Sequence, residues 1–173
     1  MKDVRPTSGR VILALFNILG GMEGVSFLDL FSGTGRVGIE ALKRGAFPVV
    51  MVEAVKDRAR EIQRAMPGGP GDGLTGNVVL SLELRRALAW LVKRGYLFDV
   101  VFADPPYNQG WGGELLHVKA LTKILKREGV LVVEHASRES LDVLSPWTVT
   151  DVRSYGETAL TFLKNAQPGE ALS

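Results

Sequence analysis

The sequence predicts an α/β domain built on a largely parallel sheet with helices on both faces. Three observations carry this expectation. Strand-like and helix-like segments alternate along most of the chain. The strand-like segments, such as "VVMV" and "VVFA", are apolar throughout instead of alternating, which suits strands buried on both faces. The two motifs with chemical content each fall at the end of a predicted strand, where ligands bind in sheets of this kind.

The elements follow in order. Val11, Leu15, Ile18 and Leu19 recur at helical spacing, with Thr7 or Ser8 as N-cap and Gly20-Gly21 as the stop. The run Val25 to Phe31 reads as a buried strand that breaks at a glycine loop, and Arg36 to Arg44 as a helix closed by Gly45. "FPVVMVE" is a second strand and Val55 to Met66 a second helix of the repeating unit. "PGGPGDGLTG" at 67–76 is a loop, not a domain linker, because the alternation resumes after it. "NVVLSL" is a third strand, Leu84 to Lys93 a helix, and "FDVVFADPPY" a fourth strand ending in a motif. Leu115 to Arg127 is expected to be helical and "GVLVVEH" a fifth strand. Runs at 147–154 and 158–163 flank Gly156 as a closing antiparallel hairpin, making seven strands. The expectation is one domain over 1–173, with 1–22 an N-terminal helical segment and 166–173 a frayed tail.

Composition sets the bounds. The chain has 173 residues, 46% hydrophobic and 23% charged, the profile of an ordinary globular protein able to bury its own core. It contains no cysteine, which excludes disulfides, thiolate catalysis and cysteine-based zinc sites. His117 and His135, the two histidines, leave little for a metal site, and no metal is expected. No signal peptide or membrane span is recognisable, so a cytoplasmic protein is expected. A net charge of +2 neither requires nor forbids nucleic acid; any basic face must be local.

Gly33, Gly35 and Gly38 in "DLFSGTGRVGIEAL" spell G-x-G-x-x-G, the dinucleotide fingerprint, and Glu53 lies 20 residues after Gly33, where a carboxylate grips ribose hydroxyls. This pattern fits NAD and S-adenosylmethionine equally. Charge separates them. NAD presents two phosphates, whereas S-adenosylmethionine presents an ammonium, a sulfonium and one carboxylate. Asp29, at the strand end, repels the first and attracts the second. The expected cofactor set is therefore Asp29 at the methionine end, the loop Phe31, Ser32, Gly33, Thr34 and Gly35, then Glu53 and Ala54 at the ribose. Glu83 is expected near the adenine amino group, and Asp104 near the transferred methyl. Gly38 serves equally well as a helix–sheet packing position.

Asp104, Pro105, Pro106 and Tyr107 close the fourth strand. Two prolines cannot continue a ladder, so the chain leaves the sheet as a rigid extended stub. Its groups match a planar exocyclic amine. Asp104 accepts one N–H, the Pro105 carbonyl the other, and Tyr107 stacks on the ring. The nitrogen lone pair is then drawn out of conjugation and aimed at a methyl donor. No prior deprotonation is needed, because the amine becomes acidic once methylated. Catalysis is mainly positioning and electrostatics.

On these residues the chain resembles a class I, Rossmann-like S-adenosylmethionine-dependent methyltransferase. More narrowly, it resembles the RsmD-type enzymes that methylate guanine N2 in 16S ribosomal RNA. The likeness runs from Val4 to Leu163 through "RPTSGRV...LFNIL", "DLFSGTGRVGIEALKRGA", Val52-Glu53 and "DPPY". The aspartate-proline-proline motif is shared by many amino methyltransferases; the opening segment narrows the choice. The resemblance implies that Arg5, Thr7 and Arg10 lie by the active-site mouth and contact RNA phosphates, and that the partner is 16S rRNA or a small-subunit assembly intermediate, met by a monomer. Trp111 is a candidate for stacking on a splayed base and Asn108 for reaching it, each with an equally good structural reading. Family members carry a short basic hairpin where only "MKDV" precedes Arg5 here, and Arg-Glu where this chain has Ile12-Leu13; both thin the expected RNA surface.

Other positions are read more plainly. Glu134 and His135 end the fifth strand, where they can line the cleft, with a satisfied structural histidine the simpler reading. His117, Arg85-Arg86 and Lys93-Arg94 read as surface, and Trp90 as helix packing. Competing functions are an adenine-N6 or cytosine-N4 methyltransferase, a protein glutamine methyltransferase (which usually has asparagine before the prolines), an NAD-dependent oxidoreductase, and a non-catalytic RNA-binding protein.

Overall fold

A computed structural model describes residues 7–68, 76–106 and 114–166. In chain order the elements are α1 (Gly9–Leu19), β1 (Phe27–Asp29), α2 (Arg36–Lys43), β2 (Val49–Val52), α3 (Lys56–Ala65), β3 (Val78–Leu80), α4 (Leu84–Lys93) and β4 (Phe98–Ala103). A single 3-10 turn (Leu115–His117) then precedes α5 (Lys119–Ile124), β5 (Leu125–Ala136), β6 (Trp147–Tyr155) and β7 (Thr158–Asn165). The strands form one seven-stranded sheet in the order β3-β2-β1-β4-β5-β7-β6. The first five pair in parallel; β7 runs antiparallel to both β5 and β6. The sheet therefore has the expected class, with the hairpin folding back so that β7 lies inside β6.

Each strand of the parallel half serves two cores. Leu28, Val50, Val101 and Val133 join one cluster, with Leu88 and Leu91 of α4 and Leu121 and Ile124 of α5. Their neighbours Phe27, Met51, Phe102 and Val132 join the other, with α1, α2 and α3. Alternate side chains point to opposite faces, so a strand covered on both faces is apolar at every position. That is why β2 is buried throughout.

Local signals hold at the helix ends. Ser8 caps α1 by accepting the Val11 N–H at 3.3 Å, and Gly20 stops it with φ 80°. Of the two apolar residues that stand where an Arg-Glu pair was expected, Ile12 is core, 7% exposed, whereas Leu13 is 54% exposed. Only Leu13 changes the surface.

Two boundaries differ from the sequence reading. Strand β1 is three residues, not the seven of Val25 to Phe31, because the chain turns into the glycine loop directly after Asp29. The helix expected over Leu115 to Arg127 ends at Ile124. Leu125 already pairs with Phe98, and the register then jumps so that Val100 meets Val130. Leu125 is buried in the core, and Lys126 bulges out to reach Asp99 at 2.8 Å. Core burial of Leu125 overrides the helical propensity of the Lys-Arg-Glu run. Gly129 fits only as glycine here, since a Cβ would sit 2.8 Å from Leu125 Cδ1 and 2.9 Å from the Lys126 carbonyl.

Candidate active site

A cleft opens beyond the carboxyl ends of β1 and β4, lined by Thr7, Asp29, Phe31, Gly33, Arg36 and Asp104, with Ser32 and Thr34 alongside. The glycine loop forms one wall. Gly33 and Gly35 take φ 55° and 78°, the left-handed region that side chains avoid, which lets the chain reverse from β1 into α2 within six residues. Gly38 has a different reason to be glycine: a Cβ there would collide with the Met51 side chain. The packing reading of Gly38 is the one the geometry supports, and its bare backbone also brings an N–H to Asp29.

Asp29 is 1% exposed at the end of β1. Its Oδ2 accepts the Gly38 N–H at 3.2 Å, and its Oδ1 is buried with no hydrogen-bond partner. Burial pushes its carboxyl up to about 7, partly offset by the Gly38 N–H, the Ser32 hydroxyl and the Phe31 N–H, with the Glu53 charge adding slightly to the rise. An orphaned carboxylate oxygen in a cleft wall is costly unless a ligand completes it. It can accept a further hydrogen bond from a donor in the cleft.

Glu53, just past β2, is 7% exposed and accepts the Gly33 N–H at 2.9 Å through Oε2 and the Val55 N–H at 2.8 Å through Oε1. Arg58 approaches Oε1 at 3.4 Å. Glu53 thus clamps the glycine loop, a role absent from the sequence reading. Its remaining lone pairs leave capacity for hydroxyl donors. Ala54 is exposed after it, and Glu83 is exposed at the N-cap of α4, beyond β3.

Asp104 follows the last residue of β4, with Pro105 buried and Pro106 exposed. Burial pushes its carboxyl up to about 8, reinforced by the charges of Glu134 and Asp29 and opposed by the Thr7 hydroxyl. That hydroxyl lies 3.1 Å from Glu134 Oε2 and 3.4 Å from Asp104 Oδ2. Thr7 is 8% exposed, and its carbonyl accepts the Arg36 guanidinium at 2.9 Å. This corrects the expectation for Thr7: a hydroxyl buried between two carboxylates is placed to bind them, not an RNA phosphate. Arg10 is exposed on the first turn of α1. Arg5, Tyr107, Asn108 and Trp111 lie outside the described residues.

Two site residues escaped or nearly escaped the sequence reading. Arg36, the first residue of α2, lines the cleft; its signal was its position directly after the loop. Glu134 was weighed as a cleft residue, and its partnership with Thr7 needed the fold. His135 is the structural histidine expected, with Nε2 2.7 Å from Thr161 Oγ1 and Nδ1 2.9 Å from the Ala136 carbonyl. Among the described residues no His, Cys, Asp and Glu grouping could hold a metal, and no helix is long and apolar enough to cross a membrane.

The chain is similar to known proteins over most of its length. Ribosomal RNA small subunit methyltransferase D of Escherichia coli (strain K12) is 27% identical over 173 residues, covering 97% of this chain and 83% of its own. The YlbH protein of Bacillus subtilis, a candidate rRNA methyltransferase, is 32% identical over 165 residues, covering 94% and 88%. A solved structure of a hypothetical protein of Thermus thermophilus superposes with a TM-score of 0.76 at 28% identity, covering 95% of this chain and 90% of that one. The family model described as conserved hypothetical protein 95 matches residues 1–164, and the chain belongs to that family, the RsmD-type S-adenosylmethionine-dependent methyltransferases.

Proposed function

We propose that this protein methylates the exocyclic N2 of a guanine in 16S rRNA, acting as a monomer on the RNA or on a small-subunit assembly intermediate in the cytoplasm. The observation that carries the reading is Asp104, held on a proline-stiffened stub in the same cleft as the unpartnered Asp29 oxygen and the glycine loop. Support for the substrate comes from the E. coli relative, whose name specifies small-subunit ribosomal RNA.

The residues fit S-adenosylmethionine in position as well as in charge. Strands β3, β2 and β1 are neighbours in that order, so Glu83, Glu53 and Asp29 stand in a row along the carboxyl edge. In this assignment they meet adenine, ribose and the methionine ammonium in turn, with Phe31, Ser32, Thr34 and Ala54 between them. When bound, the cofactor supplies an electrophilic methyl group. The chain's own residues do the rest. Asp29 neutralises the ammonium, and Glu53 fixes the loop that shapes the cleft. Asp104 and the Pro105 carbonyl accept the two N–H bonds of the target amine and hold its lone pair toward the donor. Tyr107 and Trp111 are assigned to the base, which has to leave its stack to enter. Arg5 and Arg10 are assigned to RNA phosphates.

The test is transfer of labelled methyl to naked 16S rRNA and to immature small subunits, followed by nucleoside analysis. The reading expects label in N2-methylguanosine. Label on adenine N6 or cytosine N4 would overturn the substrate assignment, and tight NAD binding would overturn the cofactor assignment.

A further inference from the structure

The parallel register between β4 and β5 pairs Ala103 with Val133, so Asp104, directly after β4, and Glu134, within β5, stand at the same level on adjacent strands. Both lie two residues beyond members of one core cluster, Phe102 and Val132. The side-chain period of two therefore puts both carboxylates on one face of the sheet. Adjacent strands are about 4.8 Å apart, so two carboxylates there repel unless something stands between them. Thr7 stands between them. Its single hydroxyl lies within reach of both, and α1 with its Ser8 cap holds the segment down on that face. Glu134 is 5% exposed and does not line the cleft itself, so whatever it does for the reaction it does through its neighbours.

We propose that Glu134 and Thr7 are positioning residues for Asp104: the single Thr7 hydroxyl proton goes to Glu134 while Asp104 is protonated and turns to the Asp104 carboxylate once that ionises, holding it in place. This rests on the reading of Asp104 as the acceptor of the target amine. Among the described residues, the groups facing Asp104 are Asp29 from β1, Glu134 from β5, and Thr7 from the segment before α1. Arg36 from α2 is held on the Thr7 carbonyl. Glu53 bears on Asp29 instead. Burial raises the proton affinity of Asp104 most, and the two acidic neighbours, Glu134 and Asp29, add to it. An ionised carboxylate accepts an N–H about twice as strongly as a neutral group, so transfer rises with pH as Asp104 ionises.

The test uses the full chain with Glu134→Gln, Thr7→Val and Thr7→Ser, read by pH profiles of methyl transfer. A second readout is the carbon-13 titration of labelled aspartate, the Asp104→Asn spectrum identifying the Asp104 resonance. Glu134→Gln keeps shape but removes charge. It should move both the rising limb of kcat/KM and the Asp104 titration midpoint down by about one pH unit. Thr7→Val should lower kcat about tenfold with little change in KM, and Thr7→Ser should restore most of it. A uniform loss of activity in Glu134→Gln with an unmoved limb and midpoint would overturn the proposal. So would full activity in Thr7→Val. If wild-type protein methylates no RNA while the Asp104 midpoint still moves, the charge coupling is upheld and the guanine reading fails instead.

Discussion

Replacing Asp29 with asparagine should erase the acid limb from the pH dependence of cofactor binding. The structure raises this carboxyl from 3.8 to about 7, chiefly by burial. In the free protein Asp29 therefore carries a proton below about pH 7, although its proposed role is to pair with an ammonium. Binding the ammonium requires the carboxylate, so the proton has to leave. Well below 7 each pH unit then weakens binding about tenfold, or about 1.4 kcal/mol, giving roughly fiftyfold between pH 7 and pH 5 because the group is already half protonated at pH 7. Above neutrality the donor's own α-amino group, near 7.7–8.0 when unperturbed, begins to lose its proton, so affinity should peak between about 7 and 8. The assay is calorimetry with S-adenosylhomocysteine, which retains the ammonium and carboxylate. Two buffers of different ionisation heat count the protons released, about one per binding event at pH 6. Asp29→Asn should bind about 10- to 150-fold more weakly at pH 7.5, the loss of a charge-assisted hydrogen bond worth about 1.5–3 kcal/mol, and show no acid limb. Asp104 also titrates and feels the Asp29 charge, so the same measurement on Asp104→Asn separates its contribution from that of Asp29. Wild-type affinity that stays flat from pH 5 to 7, or the same limb in Asp29→Asn, would refute the reasoning.

Other outcomes follow from the same geometry. Asp104→Asn should bind S-adenosylhomocysteine normally while methyl transfer falls by about two orders of magnitude or more, as for lost preorganised electrostatics; near-normal turnover would remove Asp104 from the mechanism. The same variant should change stability. A carboxyl raised from 3.8 to about 8 contributes stability that is fully present below pH 3.8 and lost as pH rises through 8. Wild-type thermal stability should accordingly fall with pH between 4 and 8 by up to about 1.4 kcal/mol per unit from this group, and the asparagine variant should fall less. Glu53→Gln leaves either the Gly33 or the Val55 N–H facing an amide donor. Calorimetry should show weaker cofactor binding, with a Tm loss corresponding to about 1–3 kcal/mol. Gly38→Ala forces a methyl into the Met51 side chain and should cost about 1–3 kcal/mol in denaturant unfolding; an unchanged midpoint would show that α2 can lift off β2 freely.

Much of this protein is settled by short-range pattern. Apolar runs without alternation specify strands buried on both faces; the glycines after Asp29 specify a turn open to a ligand; and the two prolines after Asp104 force the chain out of the sheet. These signals are local because they depend on backbone torsions and side-chain periodicity within a few residues. Where local propensity and core burial disagree, burial wins, and so Leu125 belongs to β5 although the sequence around it reads as helix. What lies beyond such patterns depends on strand order and register. Nothing within a few residues of Thr7 or Glu134 says that they meet 127 positions apart, or that Asp29 and Asp104 share a wall. The charge state of both aspartates belongs to the same category. An exposed aspartate ionises near 4, and only the packing that strips water from both Asp29 and Asp104, and sets Glu134 beside the latter, lifts them to about 7 and about 8. The residue types were set by sequence; their proton affinities arose from desolvation, which exists only once distant segments are packed together.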